Sequence, residues 1–209
     1  MPTKSVALIT TSLRPKRVGS NVAALVRPYL EKVLAPADIK VAPVDLRDFN
    51  LPIFNENLAP AMVPEFAQFE HEHSKAWSAE IAKHDGYVLV IPEYNYGVAG
   101  GTKNAIDYLL NEWKGKPLTI VSYGAQGGSK ANEQAKEILS GMGLRVTETR
   151  PQLAFADVRA EMGALLNEGK FSPESRAKWE GQPDEIIKAA EELKELLLQP
   201  NDEANVPKQ

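Results

Sequence analysis

Apolar residues along the chain fall into short unbroken runs separated by stretches with helical spacing. Ser5 to Ile9 is the first run and ends in Thr10-Thr11-Ser12. From about Ser20 to Leu34, Val22, Leu25, Val26, Leu30 and Val33 recur at the helical period, so a helix is predicted, with Pro28 expected to kink or shorten it. A second strand fits Ile39 to Val44, and a proline-bearing polar loop follows to Pro60. A long helix is predicted from Pro64 to Lys83, with proline early and acidic residues in the first turn.

Tyr87-Val88-Leu89-Val90-Ile91 is apolar at consecutive positions, as a strand buried on both faces must be. After the loop Glu93 to Gly101 the pattern predicts a helix from Thr102 to Leu110, then a fourth strand from Leu118 to Ser122. A glycine-rich loop leads into a helix ending near Gly141, and a fifth strand fits Leu144 to Thr149. Five strands alternating with helices require crossover connections, which predicts a doubly wound parallel α/β sheet of flavodoxin-like order 2-1-3-4-5. Residues 157–183 read as polar and irregular, with a short helix begun by Ser172-Pro173. A final helix over Asp184 to Leu198 stripes Ile186, Ile187, Ala190, Leu193, Leu196 and Leu197 on one face.

Composition narrows this picture. The chain has 209 residues, 43% hydrophobic and 25% charged. That is ordinary globular material for one sizeable core and too little for two domains sharing a site. We therefore expect one domain over residues 1–198, with a core at 4–156, a C-terminal helical extension at 157–198 and a disordered tail at 199–209. A net charge of -4 supplies no cationic field for nucleic acid or anionic membrane. With no cysteine, disulfides, thiolate metal sites and cysteine nucleophiles are excluded together, so redox chemistry needs a cofactor. The first apolar run is too short for a signal-peptide core or a membrane span, and the cytoplasm is the expected compartment.

In an open α/β sheet, ligands bind outside the carboxyl ends of the strands near the point where strand order reverses. The loops after strands one, three and four would meet there. The first, Thr10 to Ser20, combines hydroxyls, the cations Arg14, Lys16 and Arg17, and Gly19 just before a helix. Free amides at that helix start favour a phosphate, and Arg14 or Arg17 can add charge-assisted hydrogen bonds. A solvated basic turn is the plainer alternative. The loop lacks both the dinucleotide and the nucleoside-triphosphatase glycine patterns, which leaves a terminal monophosphate. The second loop, Pro92 to Gly101, offers glycines for close backbone approach and Tyr94 and Tyr96 for ring contact, or else a structural turn. The third, Ser122 to Ser129, could aim helix-start amides at a partly negative ring edge. His71 and His73 lie two apart, which on a helix points them in different directions and argues against a metal site. Trp77, Trp113 and Trp179 read as packing or interface residues.

Ser12-Leu13-Arg14, the run PEYNYGVAGGTKNAIDYL from Pro92 to Leu109 and SYGAQGGSK from Ser122 to Lys130 resemble the NADPH-dependent FMN reductase family, nearest its yeast-type quinone and FMN reductases. The resemblance covers about residues 4–150. It implies a flavodoxin-like fold, a homodimer, tightly held FMN and two-electron transfer from NADPH or NADH to a quinone, flavin or azo acceptor. It further implies that Ser12, Arg14, Gly19 and Ser20, assisted by Arg17, hold the phosphate. Pro92, Glu93, Tyr94, Asn95, Tyr96 and Gly97 would border the flavin ring, and Ser122, Tyr123, Gly124, Gly127 and Gly128 would complete its pocket. No side chain is assigned a catalytic role and no metal is expected. The chain departs from the family pattern at Thr11, where glycine is usual, at Ala99, often proline, and at Thr102, usually apolar. A flavodoxin-like electron carrier and a redox-dependent regulatory module are the competing functional readings.

Overall fold

The computed structural model describes residues 3–63 and 68–199. Five parallel strand positions build the sheet: β1 (Lys4–Thr10), β2 (Ile39–Asp45), β3 (Gly86–Tyr94), β5 (Pro117–Gly124) and a last position shared by β6 (Arg145–Val146) and β7 (Gln152–Ala154). The order β2-β1-β3-β5-β6 is the expected flavodoxin-like one, and β4 (Gly97–Val98) only folds back on β3 as a short hairpin. The fifth strand differs from expectation. It is broken between Val146 and Gln152, where the Thr147 hydroxyl and the Thr149 carbonyl bond the Thr119 hydroxyl, and Pro151 has no N–H to give a ladder.

Strand alternation sorts the core into two layers. Val6, Leu8, Val88 and Val90 face α1 (Gly19–Leu34) and α7 (Asp184–Leu198), whereas Ala7, Ile9, Leu89 and Ile91 face α2 (Glu72–Ala82), α3 (Gly100–Asp107) and α4 (Ser129–Gly141). Helix α7 closes the first layer with Ile186, Ala190, Leu193 and Leu197, in the span expected from its stripe.

Local interactions account for the helix bounds. Pro28 does not end α1: the carbonyl it leaves unpaired belongs to Ala24 on the exposed face, where water can satisfy it. Helix α2 begins at Glu72 rather than Pro64, because the Glu56 carboxylate takes the amides of Glu70 and His71 and holds the chain out of helix there. Pro64 itself lies outside the described residues, as do residues 200–209 of the expected tail. The extension is more ordered than its polarity indicated. It holds α5 (Val158–Asn167), begun by the Asp157 side chain on the amides of Arg159 and Ala160, and α6 (Pro173–Glu180), capped by Ser172 as expected.

Candidate functional site

The carboxyl ends of β1, β3 and β5 surround a cavity of about 220 Å³. Ser12, Arg14 and Arg17 reach it from the first loop, Pro92, Glu93 and Tyr94 from the second, and Tyr123 and Gly124 from the third. The first and second loops are tied by Ser12 Oγ to Tyr94 Oη at 3.2 Å. At Gly19 a side chain is impossible without movement: a Cβ would stand 2.8 Å from Tyr123 Oη. The start of α1 is thereby pressed against the end of β5. Burial pushes the Tyr123 phenol well above its ordinary pKa, so it stays neutral and able to donate.

The start of α1 has the properties of an anion site. Among the described residues no side chain accepts from its first amides, and its first turn carries no acid. Arg17 is buried beside it. One of its terminal nitrogens donates to the Ser12 carbonyl at 2.7 Å and to Asp45, the other also pairs with Asp45, and Nε is buried with no partner. Burial raises the Asp45 carboxyl, but the bonds from Arg17 and from the Arg47 backbone and side chain outweigh it and hold the pKa at about 2. Arg14 is half-buried, donates to the Lys16 carbonyl at 3.2 Å, and has no carboxylate partner among the described residues. An orphaned buried N–H, an unpaired guanidinium and an uncapped helix start together fit a phosphate monoester. Ser20, exposed, opens instead onto a neighbouring groove between α1 and β2.

The second helix start at this end of the sheet is already filled. Glu93 Oε2 accepts the amides of Lys130 and Ala131, at 2.8 and 3.1 Å, and so caps α4. Two donors of the third loop are likewise committed within it. Ser122 Oγ donates to the Gly127 carbonyl at 2.7 Å, and the Gly127 amide to the Gly124 carbonyl at 3.2 Å. Gly127 and Gly128 have φ of +73° and +72°, and a Cβ on either would approach backbone within about 3 Å. Ser122, Gly127 and Gly128 build the turn, and the Gly127 amide is not a free donor for a ring edge.

Asn95 and Tyr96 both have positive φ, 49° and 62°, as the two-residue turn between Tyr94 and Gly97 demands. Left-handed backbone at a tyrosine costs about 1 kcal/mol, and the Tyr96 side chain, 76% exposed, recovers none of it by packing. Asn95, Tyr96 and Gly97 thus project from the rim and do not line the cavity. The two threonines that depart from the family pattern prove to be one feature: Thr102 Oγ1 donates to Thr11 Oγ1 at 2.7 Å, and Thr11 Oγ1 to the Val90 carbonyl at 3.1 Å, under the first loop. Trp77 and Trp113 are 1% exposed and pack edge to face inside the second core layer, so neither borders the cavity. His71 and His73 stack and share Asn55, and no group of three or more ligating side chains occurs among the described residues.

One wall was absent from the sequence reading. Val158, Met162, Leu165 and Leu166 bring the C-terminal extension to the cavity, beside Phe155. Positions 158, 162, 165 and 166 carry the helical period, a signal that the surrounding polar residues diluted.

The sequence profile of a family described as NADPH-dependent FMN reductase matches residues 5–158. The chain is 48% identical over 200 residues to the NAD(P)H-dependent FMN reductase ntnL of Nectria sp, covering 94% of this chain and 98% of that protein. It is 36% identical over 142 residues to a quinone reductase of Pseudomonas putida, covering 65% and 69%. An oxidoreductase from Corynebacterium diphtheriae superposes with a TM-score of 0.66 at 17% identity, over 96% of this chain and all of that one, which shows the shared fold.

Proposed function

The chain belongs to the NADPH-dependent FMN reductase family, and from that premise we propose how its own residues serve the reaction. It is an FMN-dependent oxidoreductase that draws on NAD(P)H. When bound, FMN supplies the redox chemistry, so that NADPH, a proton and a quinone leave as NADP⁺ and the hydroquinone. A small-molecule acceptor is supported by the family and by the Pseudomonas quinone reductase; the quinone is our more specific assignment.

Arg14, the Ser12 hydroxyl and the first amides of α1 hold the phosphate, beside the buried Arg17. The observation that carries this reading is the uncapped start of α1 beside an orphaned buried arginine nitrogen. Pro92, Tyr94, Tyr123 and Gly124 border the ring, and the neutral Tyr123 offers a hydroxyl without adding charge. Glu93 and the glycines at 127 and 128 act indirectly, keeping the second and third loops in shape. No side chain is asked to act as a nucleophile.

A homodimer belongs to the same proposal, now on different residues. The tryptophans are inside the core, whereas Ile53, Leu58, Met62 and Tyr96 are 88%, 50%, 69% and 76% exposed, apolar surface that a second copy would cover. Light scattering should report about twice the 22.9 kDa chain; a monomer of full activity removes the dimer. Cytoplasmic residence is also proposed; among the described residues no helix is long and apolar enough to cross a membrane.

The decisive experiment is an absorbance spectrum of the purified protein, then anaerobic addition of NADPH. We expect a yellow protein that releases FMN and bleaches within the mixing time. A colourless protein that takes up no FMN ends the proposal.

A further inference from the structure

Helix α5 is held by its polar residues and leaves an apolar stripe free. The Glu161 carboxylate, on the inner side, binds the amides of Asp157 and Ser172 and the Ser175 hydroxyl. At the helix end, Gly169 lies so close to Arg17 that a Cβ would stand 2.7 Å from the Arg17 carbonyl, and its own carbonyl accepts Asn21 Nδ2 at 2.7 Å. Both ends of α5 are therefore fixed against the first loop and α6 without help from Val158, Met162 or Leu166. Those three are spaced by four, form one stripe, and line the cavity that contains Tyr94, Tyr123 and Gly124. Met162 and Leu166 are 43% and 48% exposed, unusual for apolar side chains at a cavity wall.

We propose that this stripe is the binding wall for a flat, apolar aromatic acceptor of the quinone class, and that Met162 and Leu166 set the preference of the enzyme for such acceptors over polar ones. The inference rests on the function proposed above. The cationic groups of the cavity, Arg14 and Arg17, all come from the first loop, whereas α5 presents only apolar atoms to it. A phosphate-bearing ligand is served at the first loop, and the α5 side suits a molecule with ring surface and no charge. Methionine, unbranched and polarizable, adapts to rings of different outline. The family profile ends at residue 158, where α5 starts, while the Nectria relative aligns over 94% of the chain. The stripe thus begins where the family profile ends, positioned to vary acceptor choice without altering the cofactor loops.

The test uses the FMN-loaded full chain with Met162→Glu and Leu166→Glu, alone and together, against menadione and ferricyanide as apolar and polar acceptors. We expect the menadione-to-ferricyanide ratio of kcat/KM to fall about tenfold in the double variant, through the KM for menadione. Met162→Leu should restore it. Both side chains are half-exposed, and circular dichroism will report whether the fold is retained. An unchanged ratio overturns the proposal. So does a fall in FMN affinity as large as the fall in the ratio, which would place the stripe on the cofactor, or a rise confined to the KM for NADPH, which would place it on the donor. Failure of the wild type to bind FMN or to be reduced by NADPH is seen before any variant is made, and it counts against the functional reading instead.

Discussion

Helices α1 and α4 both begin at the same end of the sheet, yet only one start is open to a ligand. At α4 the chain supplies its own carboxylate, Glu93, to the amides of Lys130 and Ala131. At α1 no side chain among the described residues accepts from the first turn, and the cation beside it, Arg17, retains an unpaired Nε. A helix start is an anion site only when the fold leaves its amides unclaimed. The pair also shows why glycine-rich loops alone mislead: the third loop spends the Ser122 hydroxyl and the Gly127 amide on its own turn, while the first leaves Arg17 Nε unpaired.

The sharpest way to break this contrast is charge reversal at the open end. Arg14→Glu puts a carboxylate where the phosphate must sit, and FMN affinity should fall on the order of a hundredfold in a fluorescence titration, with stability nearly unchanged. Unaltered affinity would remove Arg14 from the site.

Next comes the support of that end. Asp45→Asn leaves the buried Arg17 cation without its partner and should cost about 2 kcal/mol in urea unfolding at pH 7. The Asp45 pKa is depressed in the folded chain, from 3.8 to about 2. Its stabilising effect is therefore present above the unfolded value and is lost as pH falls through about 2. The gap between wild type and variant should shrink across that window, and a gap that widens on acidification would contradict the assignment.

At the closed end, Glu93→Ala removes the cap of α4 and should cost about 1 kcal/mol of stability, exceeding its effect on FMN affinity. A loss of affinity with full stability would return Glu93 to the flavin. The smallest effect lies under the open loop. A double-mutant cycle with Thr11→Gly and Thr102→Val should give a coupling of about 0.5–1 kcal/mol, since either single change strands one partner of a buried bond. Additive effects would mean that the two hydroxyls are independent.

Legibility followed from how local each signal was. The expected bounds of α7 were met, and β3 was recognisable from five consecutive apolar residues, because each element's own sequence carries its burial pattern. The start of α2 was not legible, since Glu56, some fifteen residues earlier in a loop, determines it. Nor was α5, whose four cavity-facing residues are spread among polar ones.

By itself the sequence determined the order of strands and helices, the convergence of three loops at one sheet edge and the family of the chain, because hydrophobic period and motif spacing are local properties. Only the tertiary structure decided which donors are free. Glu93 reaches α4 across 37 residues of chain, Asp45 reaches Arg17 across 28, and the α5 wall reaches the first loop from the far end of the domain. Hydrogen-bond partners that distant in sequence are chosen by packing, and a site is made of whatever groups that packing leaves without one.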